Sequence, residues 1–306
     1  MARLVECVPN FSEGRDASVV GKIADAVSSS KGVILLGSEM DGDHNRSVLT
    51  FVGTPDEVAD AAFEACRRAA ELIDMNRHSG QHPRIGATDV IPLIPLQGVT
   101  MEECVALSIS LARRIADELE IPTYLYEKSA SREDRRSLSS IRKGEYEGLK
   151  ESIQTEERRP DFGKPELHPT AGATVVGARP VLVAYNVYLG TEDVSLAKRI
   201  ARKIRERDGG MPGVKALGFF IEKRKEAQVS MNLTDLSMTT PLAVFTRVVR
   251  EAEAEGVSVT GSEIVGMVPV SAISEAAEDR LGLIEFDRSQ IMEGRLLDAL
   301  MSREME

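Results

Sequence analysis

The chain has 306 residues, of which 42% are hydrophobic and 28% charged, with a formal net charge of −11 and a pI near 5.1. This is the composition of a globular protein of one large or two ordinary domains. The acidic balance, with 4% aromatics and no Trp, excludes nonspecific nucleic-acid binding and base-stacking platforms.

The apolar runs are too short to span a bilayer, and the N-terminus MARLVECVPNFSEGRD lacks the apolar core of a secretory signal. Cys7, Cys66 and Cys104 are odd in number and form no CxxC pair. A cytoplasmic protein with no disulfide framework, no metal site, no membrane partner and no nucleic-acid partner is expected.

Residues 3–9 read as a strand. Ser12 and Glu13 offer cap chemistry for a helix over 17–30, where Val19, Val20, Ile23, Ala24 and Val27 keep helical spacing. The runs 32–38 and 46–53 form a hairpin across the polar turn 39–45. Thr54-Pro55-Asp56-Glu57 starts a helix reaching about residue 75. A loop over 77–90 (RHSGQHPRIGATDV) leads into a strand at 89–95. A helix capped by Thr100 runs to 119, and 121–127 is a further strand. From 129 to 178 comes a linker: a charged helical patch to about 157, then the breaker-rich run 160–165 and a Gly-rich tract.

Residues 180–188 form a strand, and Thr191-Glu192-Asp193 caps a helix to about 208. The runs 214–222 and 226–233 make a hairpin, and Thr240-Pro241 starts a helix to about 255. Residues 258–268 read as a strand, a Gly-bearing break and a second short strand. Each half has β-α-β-β-α-β order, the split βαβ or ferredoxin-like pattern. The expected fold is α+β, two ferredoxin-like subdomains over 1–178 and 179–306. Their sheets would face each other across a ligand cleft or tunnel.

The loop 77–90 holds two of the four histidines, His78 and His82, with Arg77, Arg84 and Asp89 among glycines and a proline. Loops held by rigid strands concentrate functional groups. An imidazole near neutral pKa with guanidiniums beside it suits proton transfer on an anionic substrate. Gly80 and Pro83 forbid the helix on which His78 and His82 would share a metal, and no third ligand stands nearby. The tract 163–177 matches neither a P-loop nor a dinucleotide fingerprint, but its glycines permit close approach of a flat heterocycle. Asn10, Ser12, Glu39, Asn45 and Arg46 lie at strand ends or in the hairpin turn, where they could hydrogen-bond a ligand.

The segments VECVPNFSEGRD (5–16), NRSVLTFVG (45–53), LIDMNRHSGQHPRIGATDVIPLIP (72–95), RPDFGKPELHPTAGATVVGAR (159–179) and AQVSMNLTD (227–235) resemble the glutamate formiminotransferase family. The resemblance implies transfer of a formimino group from N-formimino-L-glutamate to N5 of tetrahydrofolate, as in histidine degradation and one-carbon metabolism. Tetrahydrofolate would be a co-substrate and the protein a homodimer.

The same resemblance places the catalytic histidine on His82. The folate loop falls on Gly163, Lys164, Pro165, Glu166, Leu167, His168, Pro169, Thr170, Ala171 and Gly172. Carboxylate-binding candidates are Arg46, Arg84 and Lys164, with Asn10 and Glu39 as further contacts. The family carries an aspartate in the first hairpin turn where this chain has Glu39. Animal relatives fuse this domain to a cyclodeaminase, an activity this sequence gives no reason to expect. A related formyl transfer involving 5-formyltetrahydrofolate, or a non-catalytic folate sensor, are the other readings.

Overall fold

The computed structural model describes residues 3–281. The first strand run forms β1 (Leu4–Cys7) and, beyond Pro9, β2 (Asn10–Phe11). Proline has no N–H to give to a ladder, so the pairing breaks there. The helix α1 (Ala17–Ser28) is capped by Asp16, whose carboxylate accepts from the amides of Ser18 and Val19 at 2.8 and 3.3 Å. Ser12, expected to help the cap, instead donates its hydroxyl to the Gly86 carbonyl at 2.7 Å.

β3 (Ile34–Asp41) and β4 (Arg46–Gly53) form the hairpin, with a turn of only four residues, 42–45. Asp41 accepts from the amides of Asp43 and His44, and Asn45 takes a left-handed φ of 49°. These two residues close the turn later than the polar run suggests. Glu39 is therefore a strand residue, paired opposite Val48.

Pro55 presets the first φ of α2 (Pro55–Leu72), which buries Val58, Ala61, Ala62, Ala65, Cys66 and Ala69 on one stripe. β5 (Thr88–Gln97) follows the His82 loop. α3 (Met101–Glu118) opens with a reciprocal Thr100–Glu103 capping box. Next come β6 (Thr123–Glu127), α4 (Leu138–Ile141), α5 (Glu145–Ser152) and β7 (Thr174–Ala178).

β7 lies in the tract read as linker. It slots parallel between β5 and β6, through Val90↔Val175 and Thr123↔Thr174. The seven strands run β3-β4-(β1/β2)-β5-β7-β6. β5 is buried on both faces. Ile91 and Leu93 enter the core under α1–α3, while Val90 joins Tyr124, Tyr126, Val175, Ile141 and Leu149 on the face covered by α4 and α5. Each of those fully buried side chains contributes about 1.5–3 kcal/mol.

The chain divides after Arg179 into two compact units. The second contains β8 (Val183–Leu189), α6 (Val194–Ile204), β9 (Val214–Ile221), β10 (Glu226–Leu233), α7 (Pro241–Glu253), β11 (Val259–Val265) and α8 (Val270–Leu281). Its four strands are antiparallel in the order β11-β8-β10-β9. Gly218 lets α6 lie directly on β9, since a Cβ there would sit 2.4 Å from the Lys198 nitrogen. β11 is one strand with a register shift before Gly261, rather than two strands with a break. The described residues form an α+β protein of two sheets and eight helices. None of those helices is long and apolar enough to cross a membrane.

Candidate active site

The β3–β4 turn and the His82 loop are stapled together. A Cβ on Gly80 would lie 2.3 Å from the His44 carbonyl oxygen, so the two backbones touch. The Asn45 side chain accepts from the Gly14 amide and donates to the Ser79 carbonyl, both at 3.0 Å. His78 is structural. Its Nδ1 accepts from Arg84 Nε at 3.1 Å, so its Nε2 carries the hydrogen and donates to the Asn45 carbonyl at 3.0 Å. Burial and the Arg84 charge hold its pKa below the ordinary value.

His82 is half-buried and lies 2.9 Å, Nε2 to Nη1, from Arg46. A guanidinium can only donate, so Nε2 accepts and the ring hydrogen sits on Nδ1. Burial first, then the charges of Arg46, Arg142 and His44, push the His82 pKa down to about 3, against the pull of Asp41. The sequence suggests an imidazole near neutral pKa. Burial, reinforced by its cationic surroundings, instead keeps it uncharged across the physiological range.

Arg46 and Arg142 create an unfilled demand for an acceptor. Arg142 pairs with Asp89, whose other oxygen takes the Ile85 amide at 2.9 Å. The Nε of Arg46 and the Nε of Arg142 are both buried with no acceptor among the described residues. Buried donors left unpaired cost about 1–3 kcal/mol each, and a carboxylate brought to them would remove that cost with charge-assisted bonds.

Arg84 is placed differently. It is buried, and its Nη atoms bind Glu145 and Glu147 of α5 at 2.7 Å each. Every face of that guanidinium has a partner within the fold, so it ties α5 to the loop and leaves nothing for a substrate carboxylate.

The tract 163–172 returns to the same loop. The Ala87 amide donates to the Ala171 carbonyl at 2.8 Å, and the Ala173 amide to Ile85 at 3.1 Å. The Met75 amide donates to Thr170, and Asn76 Nδ2 to Pro169, each at 2.8 Å. The folate-loop candidates and the His82 loop are thus bound together at both ends of the latter. His168 Nδ1 accepts from the Ala171 amide at 3.0 Å and shapes the turn. Gly163, Lys164, Pro165 and Glu166 are exposed, and Leu167 is half-buried. Asp161, just upstream, anchors the tract by pairing with buried Arg135 at 2.8 Å.

Register places Asn10, Glu39, Asp41 and Arg46 on one face of the sheet, through Asn10↔Val48, Glu39↔Val48 and Asp41↔Arg46. Asn10 donates to the Val8 carbonyl at 3.1 Å. The Glu39 side chain makes no hydrogen bond or ion pair among the described residues and acts on Arg46 through Coulomb attraction. Sequence reasoning missed Asp41, His44 and Arg142. The Asp-x-x-His spacing within a tight turn was the only local signal for the first two. Arg142 had none, since its neighbours come from the fold. All three cysteines are buried and free, with burial pushing the Cys66 thiol up to about 11. No cluster of three or more metal-ligating side chains occurs among the described residues.

An uncharged imidazole beside guanidinium N–H groups that lack an acceptor can take up a proton next to a bound anion. The chain belongs to the formiminotransferase family. Residues 4–179 match the formiminotransferase domain, N-terminal subdomain, and residues 184–292 match the formiminotransferase domain.

It is 45% identical to the glutamate formimidoyltransferase of Streptococcus pyogenes, over 97% of this chain and 100% of that protein. It is 48% identical to the glutamate formimidoyltransferase of Thermoplasma acidophilum, over 96% and 97%. The formimidoyltransferase-cyclodeaminase of Gallus gallus is 48% identical over 91% of this chain, which spans about half (52%) of that longer protein.

Proposed function

We propose that this protein is a glutamate formimidoyltransferase that moves the formimino group of N-formimino-L-glutamate to N5 of tetrahydrofolate. The products are 5-formiminotetrahydrofolate and L-glutamate, as in histidine degradation. The relatives matched over 100% and 97% of their length are both named glutamate formimidoyltransferase. The site observation that carries the reading is the uncharged His82 held 2.9 Å from Arg46, whose buried Nε lacks an acceptor. Both substrates bear carboxylates, so such a guanidinium fits them.

In this reading His82 is the base. N5 of the folate becomes acidic once it has bonded to the formimino carbon and carries positive charge, so even an imidazole with a pKa near 3 can take its proton. A carboxylate arriving at Arg46 draws that guanidinium away from Nε2 and partly offsets its charge, which frees the lone pair and strengthens the base. Acid–base help of this kind supplies about 10²–10⁴-fold. Orienting the two substrates supplies more, about 7–11 kcal/mol of the barrier.

The loop 163–172 would receive the folate. Gly172, at φ +72°, keeps its backbone against Ile85 and Gly86, directly downstream of His82. Arg46 and Arg142 would hold carboxylate, with Asn10 and Glu39 on the adjoining sheet face. We read the β-α-β-β-α-β core of each unit as ferredoxin-like, the protein as a cytoplasmic homodimer, and tetrahydrofolate as a co-substrate. Sedimentation tests the dimer and cell fractionation the compartment.

The direct test is incubation with N-formimino-L-glutamate and tetrahydrofolate, reading free glutamate. The wild-type chain should release it stoichiometrically with folate consumed, and His82→Ala should lose about 10²-fold or more while still binding tetrahydrofolate. A variant with near wild-type turnover would remove His82 from the chemistry.

A further inference from the structure

The transfer needs a proton removed at one nitrogen and supplied at another. His82, whose Nε2 lone pair accepts from Arg46 at 2.9 Å, is set up for the removal. A second imidazole stands beside it. The His44 ring lies edge-on to that of His82, centroids 6.5 Å apart and planes at 72°. His44 Nδ1 is 2.7 Å from Asp41 Oδ2. The amide and ring of His44 hold the Asp41 carboxyl below its ordinary range, so it is an acceptor and Nδ1 carries the hydrogen. Nε2 of His44 has no hydrogen-bond partner among the described residues, and the side chain is 47% exposed, open to substrate and to solvent for reloading.

We propose that His44, oriented by Asp41, is the general acid of the reaction and protonates the glutamate nitrogen as it departs. The inference rests on the formimino-transfer reading above. The steps balance. The N5 lone pair forms the N5–C bond while the C=N π pair moves to the imino nitrogen, and the N5 hydrogen goes to His82. The C–N bond to glutamate then breaks with its electron pair on the glutamate nitrogen, which takes its proton from Nε2–H of a doubly protonated His44 held through Nδ1–H by Asp41, and the imino nitrogen's pair re-forms C=N. His82 finally passes its surplus proton to His44, whose carboxylate neighbour receives the charge that the guanidiniums around His82 repel. Both imidazoles are restored, with one proton moved from N5 to glutamate. Asp41 is a positioning residue here, since it reaches the substrate only through His44.

The test measures glutamate release by the purified full chain for wild type, His44→Gln, His44→Ala with and without added imidazole, Asp41→Asn, and the double variant Asp41→Asn/His44→Gln. Asparagine keeps an oxygen for the turn amides and places an NH2, which cannot accept, opposite Nδ1–H. Expected are a kcat loss of about 100-fold for His44→Gln with both KM values within about twofold, and partial recovery of His44→Ala by imidazole. Asp41→Asn should cost about tenfold alone and almost nothing in the His44→Gln background.

Retained kcat in both His44 variants would overturn the proposal. So would losses carried by KM that imidazole does not restore, or additive effects of the two sites. A wild-type chain that releases no glutamate overturns the transfer reading and this inference together. An active wild type with indifferent His44 variants overturns this inference alone.

Discussion

Replacing Arg46 by Gln tests the electrostatic account of His82 directly. Glutamine keeps a polar amide but ends two bonds short of Nη1, so the charge and the direct hydrogen bond to Nε2 are lost together. The drop of the His82 pKa from 6.5 to about 3 corresponds to roughly 5 kcal/mol against the imidazolium. Burial is the largest cause, and Arg46, at 2.9 Å, is the largest of the neighbouring charges. Removing a contacting like charge is worth about one to two pH units, so His82 in Arg46→Gln should titrate near ~4–5. The assay is an NMR titration of the ring carbons, with His82 identified by its loss in His82→Gln. A wild-type midpoint near 6.5, or one that does not move in Arg46→Gln, would refute the reasoning.

The same imidazole links stability to pH. Its folded pKa lies below its unfolded one, so the unfolded chain binds the proton first. The contribution is intact above about pH 6.5 and is lost as pH falls toward 3. Between pH 7 and 5 the wild type should lose about 2 kcal/mol more than His82→Gln in urea unfolding, an upper figure because the ring is only half-buried. The kcat/KM profile should show no His82 limb between pH 5 and 8.

Two further substitutions separate framework from chemistry. Arg84→Met should lower stability by about 2–3 kcal/mol, since it breaks charge-assisted bonds to Glu145 and Glu147, yet change the KM for formiminoglutamate less than Arg46→Gln does. Urea unfolding beside initial rates decides this, and a larger KM effect for Arg84 would return it to the substrate. Gly172→Ala places a Cβ 2.5 Å from the Ile85 carbonyl at a φ of +72°, so a loss above ~1 kcal/mol is expected. The KM for tetrahydrofolate should rise with it, and unchanged folate binding would detach the 163–172 loop from that ligand.

Much of the frame was legible along the chain because local chemistry writes it. Thr54-Pro55, Thr100 with Glu103, and Thr240-Pro241 each mark a helix start that the fold keeps. The hairpin of β9 and β10 falls within a residue of its apolar runs, because period-two patterning needs no distant information. The glycine and proline content of 77–90 marked a backbone that a helix could not hold. By itself, the sequence determined the order of helices and hairpins up to β6 in the first half and throughout the described second half, and marked the His82 loop as the place to look.

Tertiary structure decided which charges are free. Arg46 and Arg84 are the same side chain in sequence. They differ because Glu145 and Glu147 reach Arg84 from some sixty residues away, while among the described residues no carboxylate forms an ion pair with Arg46 and its Nε has no acceptor. Likewise β7 exists because β5 and β6 supply parallel edges on both its sides, which a five-residue run cannot announce. The His82 pKa and the meeting of Asp41, His44 and His82 arise from a turn folded onto a loop nearly forty residues later. Burial and charge depend on distance in space, and a linear chain records only distance along itself.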